Sequence, residues 1–555
     1  MVTDKELANL IFPDVTETIE DLEKRYPLRG LNQGCEVTRF APSPTGFLHT
    51  GSLFTAMICK KVATQSNGVF YVRLEDTDTK REIQGSGKEL LDQLHLFGIT
   101  PDEGYLGDKE KGNYGPYIQS KRANIYKIVI KHLLEIGRAY PCFCSQTELD
   151  EIRNMQEKAK ILPGYYGRFA KSRFLTNEER KEKILAGVPF VIRYKSIGNH
   201  VKKIKVNDLI HGDFFIAEND QDIVIYKSDG LPTYHFAHVV DDHFMRTTTV
   251  IRGEEWIASL PIHLQLFETL EWKAPNYAHL PVIQKLDENG HKRKLSKRLD
   301  SEAAVSYFLK DGYPSEALIM YLMTIANSNF EEWILANKFK GMDDFVFSFN
   351  KMSLDGALFD IGKLNFFSRE ILARKTKEEI LEMSKKYGEK YDSTLLSLIN
   401  RSESFFMNIM NIEREKENPR KDYEKLSVLA DQISFFYNDL YDNKVEEGGL
   451  SFNEKFEHSL IKDILNDISG SLSLVVDEQG WFANLKDVSS KHNFALNGKE
   501  YKANPLAYKG SVSDVAEMLR ITITTKKNSP NLYYVMKVLG KEECLRRISF
   551  VVSRL

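Results

Sequence analysis

Apolar positions recur along this chain in successive patterns, each predicting a different kind of element. Residues 35–40 form a short β-prone run ending in a Pro- and Gly-rich turn, after which Phe54, Met57, Ile58 and Val62 recur at helical spacing. The run 69–74 is β-prone again and leads into the acidic cluster Glu75-Asp-Thr-Asp78. Strand, turn, helix and strand in that order predict a crossover unit with a parallel sheet, whose ligands sit at the strands' carboxyl ends. Both the turn after Phe40 and the acidic cluster after Leu74 fall at that edge.

Residues 124–137 read as a helix, and the stretch from 142 to about 221 mixes helix with short strands, unlike its flanks. An inserted domain is the simple explanation. The sheet pattern resumes at 223–226, continues over 236–240 and includes 248–252, so the α/β domain is split. On this reading Asp241 and Asp242 are neighbours on a strand, face opposite ways and make no joint metal site. Beyond Tyr307 helical periodicity dominates: Val512, Val515, Ala516 and Leu519 follow a Ser511 cap, while Leu532, Val535, Met536 and Leu539 share a face before Gly540. The charged stretch 412–424 reads as a solvated helix face or linker. Residues 1–33, mainly polar with one short helix over 17–26 that Pro27 and Gly30 end, read as an appendage.

Composition narrows the class. A chain of 555 residues with 42% hydrophobic content buries several cores, and about three to five domains are expected at that length. Net charge is -3 from 76 basic and 79 acidic residues, so a polyanion partner must be met by local patches. The cysteines, Cys35, Cys59, Cys142, Cys144 and Cys544, are sparse and odd in number, which argues against a disulfide framework and for a reducing compartment. The sequence starts without the basic and apolar segments of a signal peptide and holds no membrane-length apolar run. A soluble, cytoplasmic protein is expected.

Two short motifs carry the candidate chemistry. Ala41-Pro-Ser-Pro-Thr-Gly-Phe-Leu-His49-Thr-Gly51-Ser52 is a constrained turn at a helix start, where unsatisfied backbone N–H groups attract phosphate, Gly51 allows close approach and His49 can donate to a phosphate oxygen. Lys294-Leu-Ser296-Lys297-Arg298 follows a Gly290 turn and sets cations around a serine, which suits a polyphosphate. Alone, the first is an ordinary helix start and the second a solvated basic loop. Their order and separation match the two signatures of class I aminoacyl-tRNA synthetases, usually written HIGH and KMSKS.

Further segments narrow the match. Arg39-Phe-Ala-Pro-Ser-Pro-Thr-Gly, Val72-Arg-Leu-Glu-Asp-Thr-Asp, Leu231-Pro-Thr-Tyr-His-Phe-Ala, Val239-Val-Asp-Asp-His and Val250-Ile-Arg-Gly-Glu-Glu-Trp resemble bacterial-type glutamyl-tRNA synthetases, continuously over 37–367 and more loosely to the end. The resemblance implies a Rossmann-type parallel-sheet catalytic domain, residues 34–120 and 234–291, split by an inserted α+β acceptor-stem-binding domain at 121–233. It implies a KMSKS-loop and stem-contact domain at 292–370 and an all-α anticodon-binding region at 371–555, with 1–33 as an N-terminal extension.

The implied reaction is ATP-dependent activation of L-glutamate to glutamyl-adenylate and its transfer to glutamate tRNA, by a monomer; use of glutamine tRNA as well is left open. Glutamate carries two carboxylates and one ammonium, so a selective pocket needs two guanidinium partners and an acidic one. By family match Arg39 pairs the side-chain carboxylate with help from Tyr234, Arg252 also contacts the amino acid, and Ser43 and Glu75 hold the ammonium. His49, Lys294 and Lys297 are the implied catalytic residues, and Ala41, Gly51, Ser52, Glu255, Ile283, Ser296 and Arg298 complete the ATP site. Magnesium is expected on the ATP phosphates. Arg81 is a candidate tRNA contact.

Two departures from the family pattern matter. Some members bind zinc in the inserted domain, but here Cys142-Phe-Cys144 is followed by Phe169 and Lys171 where further ligands are needed, so no zinc is expected. His238 stands where relatives have Asn near the glutamate site, and a substrate contact and a core histidine are both open readings. Among rivals, a base-modifying glutamyl-transferring relative or a nucleotidylyltransferase lacks the long C-terminal region. Glutaminyl-tRNA synthetase has a β-barrel there, and an inactive paralogue does not require the intact charged set.

Overall fold

The computed structural model describes residues 1–44, 46–78, 83, 85–296, 298–337 and 340–555. Two compact units divide the chain, one of residues 1–308 and 318–360, the other of residues 309–317 and 361–555.

The first unit is built around a parallel sheet. Val37–Phe40 pairs in parallel with Val69–Val72, which pairs in parallel with Glu103–Tyr105. Thr249–Gly253 pairs in parallel with Asn276–Leu280. The Thr248 N–H donates to the Val37 carbonyl at 3.0 Å, joining the two sets edge to edge. The chain's first strand is therefore central, with later strands added on either side of it. At that reversal of strand order the carboxyl ends open a crevice. The strands are short and enclosed, Val37–Phe40 being buried at every position, as parallel strands covered on both faces must be.

Between the two halves lies a separate antiparallel sheet of Ala139–Cys142, Val191–Tyr194 and Val224–Tyr226. Val224–Tyr226 thus belongs to the insertion and not to the resumed nucleotide sheet. A second correction concerns the next segment: Tyr234–Phe244 is a helix, with Phe236, Val239, Val240 and Phe244 buried on it. Asp241 and Asp242 accordingly share a helix and are both buried inside the unit.

The N-terminal segment is not an appendage. Asp4–Ile11 and Ile19–Arg25 are helices, each opened by a capping box, Thr3 with Glu6 and Thr18 with Asp21. Ala8, Phe12, Val15, Leu22 and Tyr26 are buried in the same cluster as Tyr126, Val129, Phe236 and Phe244.

The regular elements of the second unit from residue 361 onward are helices. Their cluster runs from Leu372 to Val551. Arg547 is buried within it, donating to the carbonyls of Phe435 and Ile523 at 2.8 and 2.7 Å and to Glu543 at 2.7 Å. Ser511 forms a capping box with Asp514 ahead of Val512–Thr524, and Gly540, at φ 85°, separates Leu532–Leu539 from Lys541–Val552. Residues 412–424 contain no helix; Arg414 there bonds the carbonyls of Leu372 and Lys375, so the stretch is a pinned linker.

Candidate active site

The chain turns after Phe40 and re-enters order as the helix Thr50–Gln65, whose N-cap is His49. The Gly51 N–H donates to His49 Nδ1 at 2.9 Å, so this donor, expected to be open to phosphate, is already taken. The bond fixes Nδ1 as an acceptor and sets any imidazole proton on Nε2. Two further bonds tie this turn to the segment after the basic loop: Thr50 Oγ1 donates to the Glu302 carbonyl at 2.7 Å and the Val305 N–H to the Leu48 carbonyl at 3.1 Å. The two motifs, about 250 residues apart in sequence, are thus neighbours in the fold.

Between them, at the carboxyl ends of the strands, lies a cavity of about 950 Å³. Its lining includes Arg39, Ala41, Ser43, His49, Gly51, Ser52, Glu75, Tyr234, Arg252, Glu255, Ile283, Lys294 and Ser296. Thr77, Asp78, Gln119 and Trp256 line it too. Thr77 and Asp78 belong to the acidic cluster that the sequence places at this edge, although no role was given to either; Trp256 ends a quoted motif, whereas Gln119 carries no local signal. Arg298 is exposed and does not line the cavity. Lys297 and Arg81, to which phosphate and tRNA roles were assigned, lie outside the described residues.

The charged groups form a buried network. Arg39 Nε lies 3.1 Å from Asp242 Oδ2, and Arg73 bridges Asp242 at 2.6 Å and Glu75 at 2.9 Å. Burial alone would raise the Asp242 carboxyl, but Arg39 and Arg73 hold it well below the usual carboxylate range. Glu75 behaves oppositely. Burial outweighs Arg73 and pushes its carboxyl up, so a ligand cation in the cavity would favour its ionised form. Tyr234 stacks near Trp256, ring centroids 4.3 Å apart, and burial raises its phenol. Arg252 is also buried against this wall, its guanidinium held by imidazoles.

His238 is fully buried and absent from the cavity lining. Its Nδ1 lies 2.9 Å from Asp242 and its Nε2 3.3 Å from the Tyr277 hydroxyl, and burial drives its pKa down to about 3. Of the two readings left open for it, its place favours the second, a neutral core imidazole behind Arg39, over the glutamate contact. On the opposite wall Lys294 ends the strand Lys292–Lys294, which pairs antiparallel with Ile283–Leu286. Its Nζ is 3.6 Å from Glu255. Asp300 anchors the loop, accepting from the Ser296 N–H at 2.9 Å and pairing with Arg293 at 2.6 Å.

In the inserted sheet the sulfurs of Cys142 and Cys144 lie 3.4 and 3.2 Å from the Tyr165 hydroxyl, and Cys144 lies 3.6 Å from Ser172 Oγ. Phe169 packs as an apolar side chain beside this cluster. A phenol, a hydroxyl and a benzyl ring do not complete a tetrahedral zinc set, so the residues present do not fit the metal. Among the described residues no group of three His, Cys, Asp or Glu side chains could hold a metal ion, and no helix is long and apolar enough to cross a membrane.

Residues 36–366 match the family model of the class I tRNA synthetase (E and Q) catalytic domain, and residues 418–552 match an anticodon binding domain. A glutamate–tRNA ligase of Clostridium perfringens (strain 13 / Type A) is 45% identical over 543 residues, covering 98% of this chain and 99% of its own. This chain belongs to the glutamate–tRNA ligase family. Within the family, the enzyme of Acetivibrio thermocellus is 43% identical over 98% of this chain and 99% of its own. The crystal structure of glutamate–tRNA synthetase from Elizabethkingia anophelis superposes with TM-score 0.73 at 28% identity, covering 93% of this chain and 99% of that one. The family's catalytic match therefore spans both halves of the split sheet and the insertion between them.

Proposed function

We propose that this chain activates L-glutamate with ATP and transfers it to the 3′ end of glutamate tRNA. The observation that carries the reading is one cavity holding two buried guanidinium groups, Arg39 and Arg252, and a buried carboxyl, Glu75, beside both nucleotide motifs. Those signs complement an amino acid with two carboxylates and an ammonium. Arg39 receives the side-chain carboxylate with Tyr234, Arg252 contacts the other end of the amino acid, and Glu75 with Ser43 receives the ammonium.

In the first step a carboxylate oxygen of glutamate attacks the α-phosphorus of ATP, an O–P bond forms, and the bond to the bridging oxygen breaks to release pyrophosphate. The nucleophile arrives already charged, so the protein's part is alignment and neutralisation of developing negative charge. His49 Nε2, Lys294 and Lys297 do this, while Glu255, Ile283, Ala41, Ser52 and Ser296 hold the nucleotide. A magnesium ion carried by ATP would add to that neutralisation of phosphate charge. In the second step a terminal ribose hydroxyl of the tRNA attacks the activated carbonyl and AMP departs.

The insertion over 121–233 receives the acceptor stem and the helical region 371–555 the anticodon. In the latter a cavity of about 370 Å³ combines Tyr423, Phe435 and Phe436 with Arg420, Lys526 and Gln432. Tyr423, Phe435 and Phe436 are buried in the helical core, so the groups here that a tRNA could meet are Arg420, Lys526 and Gln432.

Aminoacylation with glutamate and with glutamine, each against separate glutamate and glutamine tRNAs, tests the reading. Charging of glutamate tRNA with glutamate is expected; preference for glutamine sinks it, and glutamate on both tRNAs identifies a non-discriminating enzyme. Lys297→Ala should slow ATP–pyrophosphate exchange by about a hundredfold or more while leaving tRNA affinity nearly unchanged. An unchanged rate removes the phosphate role of Lys297.

A further inference from the structure

The buried arginines of this unit are not held alike. Arg39, Arg73 and Arg122 each meet a carboxylate, Asp242 at 3.1 Å, Asp242 at 2.6 Å and Asp241 at 2.6 Å respectively. Arg252, equally buried and facing the cavity, has no carboxylate within ion-pair distance among the described residues. Its Nε lies 3.1 Å from His279 Nε2, and its terminal nitrogens lie 3.3 and 3.2 Å from His263 Nδ1. The Trp256 carbonyl, at 3.5 Å, is a backbone acceptor for it.

A guanidinium only donates, so the ring nitrogens facing it must carry lone pairs. The outer bonds agree with that assignment. His279 Nδ1 lies 2.7 Å from Asp208 and donates to it, and His263 Nε2 lies 3.0 Å from His235 Nδ1 and donates to it. Each imidazole is therefore a neutral relay with one acceptor turned inward. Burial, reinforced by the charge of Arg252, lowers the proton affinity of both rings.

We propose that His263 and His279 are positioning residues that hold Arg252 by neutral acceptors and leave its positive charge uncompensated for a carboxylate of the substrate. A carboxylate in either place would aim the guanidinium equally well but would neutralise it before glutamate arrives. The inference rests on the reading that Arg252 contacts glutamate, and it adds why the sequence sets imidazoles around this arginine.

The test compares His263→Asn with His263→Asp in the full chain, by ATP–pyrophosphate exchange with tRNA present. Both variants set an oxygen near the former Nδ1 and have nearly the same shape; only Asp brings a charge. His263→Asp is expected to raise the glutamate KM about tenfold or more relative to His263→Asn, with the ATP KM of the two within about threefold. His279→Gln against His279→Glu repeats the comparison at the other ring, and decides it if a His263 variant fails to fold. Equal glutamate KM within each neutral and charged pair overturns the proposal. Arg252→Gln separates the two levels: if it leaves the glutamate KM unchanged, the reading of Arg252 falls and the proposal with it. If it raises the KM while the paired variants agree, the proposal alone falls.

Discussion

Asp242 shows how much of the site depends on a residue that does not line the cavity. It lies against Arg39, Arg73 and His238 together, and its charge is what allows two guanidinium groups to be buried side by side. Asp242→Asn removes that compensation and should lower the unfolding free energy by about 3–5 kcal/mol, as breaking a buried pair does. Denaturant unfolding checks this, and a change below 1 kcal/mol by the same measurement would mean the network relaxes through other partners. Arg39, Glu75 and Arg252 were legible because the motifs that carry them resemble the family's and because a glutamate pocket needs two guanidinium groups and a carboxyl; a charge at the end of a β-prone run alone reads as a surface ion pair. Asp242 was not, since its partners are some 170 to 200 residues away and only the fold brings them together. The same holds for His263 and His279, which look like ordinary core residues until the arginine they face is known. The thiols of Cys142 and Cys144 yield a prediction at this scale too: with Tyr165 and Ser172 as neighbours, elemental analysis of the purified chain should find zinc near zero, and one equivalent per chain would refute that.

Elements were readable where their signal was local. The strand, helix and strand of the nucleotide unit lie close to their expected positions, as do the caps at Ser511 and Gly540, because turn chemistry and apolar period fix them within a few residues. The helix Tyr234–Phe244 was misread although Phe236, Val239 and Val240 carry the helical period; its adjacent valines suggested a strand. Val224–Tyr226 is a real strand, but which sheet it joins depends on partners at Ile192 and Arg193 that pattern alone does not name. The N-terminal helices were underrated for a different reason. Their capping boxes were present in the sequence, but so few apolar residues in a polar stretch gave no sign that they cover Tyr126 and Val129. Leu22 is fully buried there, so Leu22→Ala should destabilise the first unit by about 2–5 kcal/mol. Thermal unfolding measures it, and an unshifted transition would show the segment to be energetically idle after all.

For the whole molecule the distribution of buried histidines predicts an asymmetric response to acid. Burial is the leading cause of a lowered pKa for His235, His238, His243, His263 and His279, reaching about 3 at His238 and about 4 at His243. All five lie in the first unit. In the unfolded chain these rings take up protons near pH 6.5, so below that pH the unfolded state binds more protons than the folded one and stability falls with pH. The contribution is fully present above about pH 6.5 and drains as pH drops toward the folded-state values, by up to about 2 kcal/mol per ring at pH 5. Glu75 and Asp222, whose carboxyls are raised chiefly by burial, act in the opposite sense but are fewer. In the second unit the lowered carboxyls of Asp439, Asp467 and Glu543 lose their stabilising effect only as pH falls through the carboxylate range, below this window. Calorimetry at pH 7.5 and pH 5 should therefore show the transition of the first unit moving down much further than that of the second. His243 illustrates the cause, being stacked 3.8 Å from Trp272 and neutral beside a Glu23 that Arg246 already pairs. His243→Gln should flatten the pH dependence of the first unit, and equal shifts of both transitions, or a steeper dependence in the variant, would overturn the assignment to buried imidazoles.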